Sequence, residues 1–267
     1  MAVDRRCSIK NDLARKGAEK QRKFDKNRKQ FAQINGHKLA FYFCKNGKNT
    51  VVLLHGWGAN AQSFSYVISK LCVKYSVLAV DFCGFGDSDY PPKDYGVKQY
   101  ADDVIKLLEV LNIEQATLVG HSFGGRVAVE IAANYPHLTK KLVLVDSAGV
   151  KPRRGIKYYA KVLAHKFLKS FGAKGLKGSS DYSALPECMK GVFVRVVNYN
   201  QNGLFKRITC PTAVFWGDKD NVTPPYMYRY ILKKVKDSYG FMLKGGHFAY
   251  VEDGVRFVGI LDKFLEE

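Results

Sequence analysis

The sequence predicts an α/β protein in which a mainly parallel β-sheet is covered by helices on both faces. Along most of the 267 residues, short apolar segments alternate with longer segments of helical periodicity. Segments such as Thr50–Leu54 and Lys141–Val145 lack regular apolar–polar alternation, which is typical of strands buried on both faces. Parallel neighbouring strands need crossover connections, and the intervening helical segments supply them.

The first two strands are predicted to form an antiparallel hairpin. Phe31–Ile34 and Leu39–Phe43 flank Asn35-Gly36, a pair that favours a tight two-residue turn. Later strands are predicted at Thr50–Leu54, Tyr75–Val80, Ala116–Val119, Lys141–Val145, Thr212–Trp216 and Ser238–Leu243. Helices are predicted at Ala61–Leu71, Tyr100–Leu111, Val127–Ala133, Pro224–Val235 and Val255–Leu265.

Composition divides the chain into three regions. Residues 1–29 are basic and poor in large apolar side chains, which predicts a mobile N-terminal extension. Residues 30–148 and 208–267 carry the strand–helix alternation and form the predicted core domain. Residues 149–207 interrupt this alternation with short helical segments, which predicts a mostly helical cap insertion. One segment is basic and spans Ile156–Phe167, and another spans Gly191–Asn200.

The chain carries a formal net charge of +19, and residues 151–177 contain no acidic side chain. This balance favours an anionic substrate or an acidic carrier protein at the basic cap, although basic residues also serve solubility alone. Nucleic acid is not expected as a partner. No apolar stretch is long enough to cross a bilayer, no secretory leader is recognised, and the six cysteines lack metal-ligand or disulfide spacing. These features predict a cytoplasmic protein without a transmembrane segment or a metal.

The predicted chemistry centres on Gly120-His121-Ser122-Phe123-Gly124, which lies between a strand and a helix. A Gly-x-Ser-x-Gly segment in this context places the serine on a sharp turn, where residues two positions away come so close that only glycine fits. The Ser122 hydroxyl is then lifted clear of the sheet, and the first amides of the following helix point toward the group that it attacks. Ser122 is the predicted nucleophile, with an ordinary glycine-rich loop as the alternative.

A serine hydroxyl needs a general base within hydrogen-bond reach. Of the six histidines, only His247 lies in a loop after a late sheet strand, preceded by two glycines that let the loop reach inward. His121 lies inside the sharp turn, so its side chain is expected to point away from the hydroxyl. His55 is expected to brace its own loop. His247 is therefore the predicted base.

The remaining groups are a carboxylate that orients the base and two N–H donors for the oxyanion. Asp220 follows a late strand and is the favoured acid, with Asp146 and then Asp218 as alternatives. The predicted oxyanion hole consists of the main-chain N–H groups of Phe123 and Trp57. The first follows the nucleophile, and the second lies in a glycine-rich loop after an earlier strand.

Five motifs occur in an order that is known from one family: His55-Gly56-Trp57-Gly58, Gly84-Phe85-Gly86-Asp87-Ser88, Gly120-His121-Ser122-Phe123-Gly124-Gly125, Trp216-Gly217-Asp218-Lys219-Asp220 and Gly246-His247-Phe248. From about Phe31 to Glu267, the chain resembles the α/β-hydrolase superfamily, and especially its compact bacterial serine esterases and carbon–carbon hydrolases. The resemblance implies an eight-stranded sheet, a helical cap and a Ser122–His247–Asp220 triad. Cys83 stands where the family often has proline.

These features predict a serine hydrolase that cleaves a small-molecule carboxylic ester or thioester through an acyl-enzyme, without a cofactor. Two alternatives stay open. One is hydrolytic carbon–carbon cleavage of a dienoate-type diketo acid, and the other is a non-catalytic receptor that binds a ligand in the same cavity. Dehalogenases and epoxide hydrolases of this fold use aspartate at the sharp turn, so Ser122 argues against both.

Overall fold

The structure is a computed structural model that describes residues 29–152 and 185–267. The predicted extension, except for Lys29, lies outside the described residues. Residues 153–184 of the predicted cap also lie outside them, including the helix expected at Ile156–Phe167. The predicted core domain is described throughout.

The centre of the described part is one sheet of eight strands. They are β1 Lys29–Ile34, β2 His37–Cys44, β3 Thr50–Leu54, β4 Ser76–Asp81, β5 Ala116–His121, β6 Thr139–Val145, β7 Thr212–Gly217 and β8 Ser238–Leu243. Their spatial order is β1-β2-β4-β3-β5-β6-β7-β8. The pairs β1–β2 and β2–β4 are antiparallel, and all other pairs are parallel. The predicted fold class and strand number are confirmed.

The hairpin at the edge of the sheet has the turn that its sequence predicts, but it begins earlier. Asn35 and Gly36 both have positive φ, 49° and 87°, as a tight turn of this kind requires. β1 begins at Lys29, which the sequence assigned to the extension. Its ammonium group contacts the carboxylates of Asp81, at 3.0 Å, and Asp87. These partners are remote in sequence, so no local pattern reveals them. Lys29 belongs to the sheet, and its assignment to the predicted extension is wrong.

Seven α-helices accompany the sheet within the described ranges: α1 Ser65–Leu71, α2 Val97–Val110, α3 Phe123–Asn134, α4 Glu187–Asn198, α5 Pro225–Lys234, α6 Ala249–Glu252 and α7 Gly254–Glu266. α2 begins three residues before its predicted start, because the Gln99 side chain accepts a hydrogen bond from the Gly96 N–H (3.0 Å) and caps this end. α4 begins directly after Pro186, ahead of the start predicted near Gly191. Residues Ala61–Phe64 form a 3-10 turn before α1.

Two hydrophobic layers enclose the sheet. Val52 and Leu54 of β3 belong to one layer, whereas Val51 and Leu53 belong to the other, because successive strand residues point to opposite faces. The first layer includes side chains of α2, α3, α4 and α5, and the second includes side chains of α1 and α7. Burial on both faces explains the largely apolar composition of the central strands.

The segment after α4, in the predicted cap, is hydrogen-bonded to α3. The guanidinium of Arg126 in α3 is buried and donates hydrogen bonds to the carbonyl oxygens of Tyr199, at 2.6 Å, and Val197, at 3.4 Å. The Gln201 side chain returns a hydrogen bond to the Arg126 carbonyl at 2.9 Å. Burial lowers the pKa of Arg126 to about 10, so it stays charged at neutral pH. The end of α4 is thereby held against the helix that follows Ser122.

Candidate active site

Ser122 lies on a strained turn between β5 and α3. Its backbone has φ 49° and ψ −108°, a conformation that a non-glycine residue rarely adopts. A side chain at Gly120 would lie 2.5 Å from the Gly124 carbonyl oxygen, and one at Gly124 would lie 2.0 Å from the Leu54 carbonyl oxygen. Both glycines are therefore required by close backbone approach, as the motif predicts.

Three side chains from separate parts of the sequence form one hydrogen-bonded chain. The Ser122 hydroxyl donates to His247 Nε2 over 2.9 Å, and His247 Nδ1–H donates to Asp220 Oδ2 over 2.9 Å. Each residue follows the carboxyl end of a strand, namely β5, β8 and β7. Parallel strands end at the same edge of the sheet, which is why residues so far apart in sequence converge there.

The Asp220 carboxylate is held by several donors. Its Oδ1 accepts hydrogen bonds from the main-chain N–H groups of Val222 (2.7 Å) and Thr223 (3.0 Å), and its Oδ2 accepts one from the Thr223 hydroxyl (2.5 Å). Burial disfavours the charge, but hydrogen bonds from His247 and Thr223 outweigh burial and lower the pKa of Asp220. Asp220 is therefore an anion at neutral pH.

The two alternative acids have other partners. Asp146, at the end of β6, is fully buried, and its Oδ1 accepts the Gly217 N–H at 2.7 Å. Burial, reinforced by the neighbouring charge of Asp220, raises the pKa of Asp146 to about 8. Asp218 accepts a hydrogen bond from the Gly245 N–H at 3.0 Å. Only Asp220 of the three forms a hydrogen bond with His247 in the described part of the chain.

Two further histidines lie near the serine and are neutral. His55 is buried, and its Nδ1–H donates to the Gly56 carbonyl (2.8 Å) while its Nε2 accepts the Phe82 N–H (3.0 Å), so it braces its loop as expected. Burial lowers the pKa of His55 to about 4. His121 is also buried, and its Nε2 lies 2.7 Å from the carbonyl oxygen of His247, whereas the Ser122 hydroxyl bonds the His247 imidazole.

The predicted N–H donors flank the serine. Phe123 is the first residue of α3, and the first amides of a helix have no acceptor within it. A Cβ atom at Gly56, next to Trp57, would lie 3.5 Å from Ser122 Cβ, so the Trp57 loop passes directly beside the nucleophile. The Trp57 indole packs against Phe85, Phe123 and Phe193 with ring centroids 4.9–5.4 Å apart. Aromatic side chains thus adjoin the serine and include one from α4.

A cluster elsewhere in the described residues has donor atoms of the kinds that metals bind. Potential ligand atoms of His37, Cys83 and Asp103 lie within 4.8 Å of one another, and all three residues are buried. Asp103, however, already accepts hydrogen bonds from Asn35 (2.9 Å), His37 (3.0 Å) and the Tyr95 hydroxyl (2.5 Å). These bonds account for the cluster as a link between the β1–β2 hairpin and α2.

Sequence reasoning missed the role of Thr223 in this region and the contact of His121 with residue 247. Thr223 donates to Asp220, and the only sequence signal is its position three residues after the aspartate and just before Pro224. The contact of His121 with residue 247 joins residues 126 positions apart, so no local sequence pattern predicts it.

Comparisons with known proteins agree with this architecture. The family model described as alpha/beta hydrolase fold matches residues 49–173. The uncharacterized hydrolase YugF of Bacillus subtilis is 30% identical over 210 residues, which cover 67% of this chain and 75% of that protein. The chain belongs to the α/β-hydrolase superfamily. Membership in a superfamily of hydrolases supports an enzyme.

Two further relatives show the range of named activities in this superfamily. A 2-hydroxy-6-oxo-6-(2'-aminophenyl)hexa-2,4-dienoic acid hydrolase of Metapseudomonas resinovorans is 27% identical, with 87% of this chain and 89% of that protein covered. An esterase structure from Exiguobacterium antarcticum aligns with a TM-score of 0.73 and 24% identity over 89% of this chain and 99% of that one. In residues 29–152 and 185–267, no helix combines the length and apolar character needed to span a bilayer.

Proposed function

We propose that this α/β-hydrolase is a serine hydrolase that cleaves a carboxylic ester or thioester through an acyl-enzyme intermediate. The observation that carries the proposal is the unbroken hydrogen-bond chain from Ser122 through His247 to Asp220, with both distances at 2.9 Å. A nucleophile, a base within reach and an acid that fixes the base are the parts that acyl transfer requires.

In the first step, the Ser122 oxygen attacks the substrate carbonyl carbon while His247 Nε2 takes the hydroxyl proton. The negative charge moves to the carbonyl oxygen, where the N–H groups of Trp57 and Phe123 are the proposed donors. His247 then gives the proton to the departing alcohol or thiol, which leaves an acyl group on Ser122. A water molecule, deprotonated by His247, attacks this acyl group and regenerates the serine.

Asp220 serves this cycle in two ways. Its hydrogen bond to Nδ1–H keeps the lone pair of Nε2 directed at Ser122, and its negative charge stabilises the imidazolium that forms when His247 takes the proton. The hydrogen bonds from Val222 and Thr223 keep the carboxylate both charged and oriented.

The surroundings of the serine favour an apolar acyl or aryl group in the substrate. Trp57, Phe85, Phe123 and Phe193 form a continuous set of ring contacts next to the nucleophile. Residues 151–177 of the predicted cap carry basic side chains without an acidic one. An anionic group on the substrate, or an acidic carrier protein that delivers it, fits this charge.

The test compares purified wild type with S122A on p-nitrophenyl esters and on an acyl thioester. S122A is expected to lose at least about 10³-fold in kcat/KM while its thermal unfolding is unchanged. Ser69, whose hydroxyl only bonds the Tyr66 carbonyl in α1, provides the matched control, and S69A should behave as wild type. A fluorophosphonate probe should label wild type and S69A but not S122A. Full activity of S122A would refute Ser122 as the nucleophile. Lack of labelling of wild type would favour the alternative of a non-catalytic receptor.

A second candidate, hydrolytic carbon–carbon cleavage of a dienoate-type diketo acid, is favoured by one observation. The relative from Metapseudomonas resinovorans, named as a dienoic acid hydrolase, aligns over most of both chains. Turnover of short esters and of such a diketo acid, measured side by side, separates the two candidates. A kcat/KM that is higher for the diketo acid would replace the first proposal with the second.

A further inference from the structure

The imidazole of His121 is buried between the nucleophile turn and the loop that carries His247. The residue is 1% exposed, and its ring centroid lies 5.0 Å from that of His247, 5.0 Å from that of Phe248 and 4.9 Å from that of Tyr250. The His121 side chain thus lies in the core among the rings of the base and of the two aromatic residues that follow it.

The hydrogen bonding of His121 defines its tautomer. Nε2 lies 2.7 Å from the main-chain carbonyl oxygen of His247, which can only accept, so Nε2 carries the proton and donates. Nδ1 is buried without a hydrogen-bond partner in the described part of the chain. Burial and the adjacent His247 lower the pKa of His121 to about 3, which keeps the ring neutral at physiological pH.

The space for this ring is provided by a glycine. A Cβ atom at Gly56 would lie 2.7 Å from His121 Nδ1, closer than Cβ contacts in proteins, and 3.1 Å from its Cε1. Gly56 precedes Trp57, the proposed oxyanion donor. The ring therefore contacts the three segments that must meet for acyl transfer: the nucleophile turn, the base loop and the loop of the oxyanion donor.

Other hydrogen bonds of the base loop involve residues just before the base, among them those from the Lys219 N–H to the Gly245 carbonyl oxygen (2.9 Å) and from the Lys244 N–H to Asp253 (3.0 Å). The N–H groups of Gly245 and Gly246, just before the base, are held by the carboxylates of Asp218 (3.0 Å) and Glu252 (3.1 Å). Both bonds hold the glycines that precede residue 247, and glycines leave the following backbone free to rotate. The bond from His121 is made to the main chain of residue 247 itself.

We infer that His121 is a positioning residue, which sets the distance between the His247 imidazole and the Ser122 hydroxyl by holding the main-chain carbonyl of residue 247. This inference rests on the proposed function, because it assigns a role to His121 within the same reaction. His121 itself touches neither substrate nor the transferred proton. Loss of its N–H donor should let the base loop retract from the serine, and a displacement of about 1 Å can reduce catalysis by about 10²-fold.

Two substitutions of similar length separate hydrogen bonding from packing. In H121Q, the amide N–H₂ can occupy the position of Nε2–H and restore the donor, whereas H121M fills similar space without a donor. We expect kcat for p-nitrophenyl butyrate to fall by about 10- to 100-fold in H121M and by no more than about threefold in H121Q, with KM unchanged in both. The rate of fluorophosphonate labelling should change in the same way as kcat.

Thermal unfolding of each variant shows whether it is folded. H137M, at an exposed histidine outside the site, is the control for a His-to-Met substitution and should keep the wild-type kcat. Should H121M fail to fold, H121N replaces it, because its amide is one methylene shorter and cannot reach the carbonyl. If H121Q has the same kcat as H121M, or as H121N where H121M does not fold, the inference is overturned. Wild type that neither turns over esters nor reacts with the probe would instead overturn the proposed function and the inference with it.

Discussion

Two buried histidine–aspartate pairs of almost the same length lie in very different settings within the described part of the molecule. His247 and Asp220 are 2.9 Å apart at the carboxyl edge of the sheet, and His37 and Asp103 are 3.0 Å apart between the β1–β2 hairpin and α2. Both aspartates are essentially inaccessible to solvent, and both histidines are mostly buried. Distance and burial alone therefore do not distinguish a site for chemistry from a structural link.

The orientation of the imidazole makes the difference. His247 uses Nδ1 for its aspartate, which leaves Nε2, at the far end of the ring, for the Ser122 hydroxyl. His37 uses Nε2 for Asp103, and the nearest hydroxyl, that of Tyr95, donates to the same carboxylate oxygen. In the His37–Asp103 pair, the neighbouring hydroxyl donates to the same carboxylate. In the His247–Asp220 pair, the free nitrogen of the imidazole lies within hydrogen-bond distance of the Ser122 hydroxyl, on a strained turn.

The largest expected effect separates the two histidines. H247Q should lower kcat/KM for esters by about 10⁵- to 10⁶-fold, because the base is lost. H37Q should keep kcat/KM within about threefold and should lose about 1 kcal/mol of stability in urea unfolding, since only a structural hydrogen bond changes. Similar activity losses in both variants would mean that the two pairs are functionally linked.

The two aspartates provide the next comparison. D220N should reduce kcat by about 10³- to 10⁴-fold with little change in KM, because an amide no longer fixes the tautomer or stabilises the imidazolium. D103N should leave kcat nearly unchanged and lower the free energy of unfolding by about 1–3 kcal/mol, because a buried acceptor of several hydrogen bonds is altered. Steady-state kinetics and urea unfolding of both variants test whether D220N mainly loses activity and D103N mainly loses stability.

The hydroxyl that closes the second pair is expected to matter for stability alone. Burial and the hydrogen bond to Asp103 raise the pKa of Tyr95, so its phenol keeps its proton and donates at 2.5 Å. Y95F should lower the free energy of unfolding, measured in urea, by about 2 kcal/mol. Y90F, at a tyrosine that is 58% exposed, should leave it unchanged. A selective loss of ester hydrolysis in Y95F would instead connect this cluster to the active site.

The last expected effect concerns the pH dependence of stability and leaves catalysis aside; it is expected at the rejected acid, Asp146. Its pKa is raised from an ordinary 3.8 to about 8, so the stability that its protonated form provides is fully present below about pH 4 and is lost as the pH rises through about 8. D146N cannot ionise, so its free energy of unfolding relative to that of wild type should rise by roughly 4 kcal/mol between pH 5 and pH 9, about 1.4 kcal/mol for each pH unit up to about 8. Thermal unfolding at both pH values measures this; parallel curves would show that Asp146 is ionised in the folded protein.

Much of the fold follows from local patterns. Apolar runs predicted the central strands, and Asn35-Gly36 predicted the hairpin turn, because turn geometry depends on the two residues that form it. The spacing of Gly120, Ser122 and Gly124 similarly predicted the sharp turn, since its steric demands lie within five residues. Helix starts were less accurate: the start of α2 depends on one capping side chain, that of Gln99, and α4 begins directly after Pro186 without a side-chain cap.

The sequence by itself determined the strand–helix alternation, the strained position of Ser122 and the loop that carries His247, because each is encoded within a short segment. Only the tertiary structure decided which of three carboxylates meets the base, that Thr223 restrains it, and that His121 reaches the main chain of residue 247. It also placed Lys29 in the sheet through an ion pair with Asp81. Side-chain directions at the ends of different strands depend on sheet twist and packing across the whole domain, and no local pattern records them.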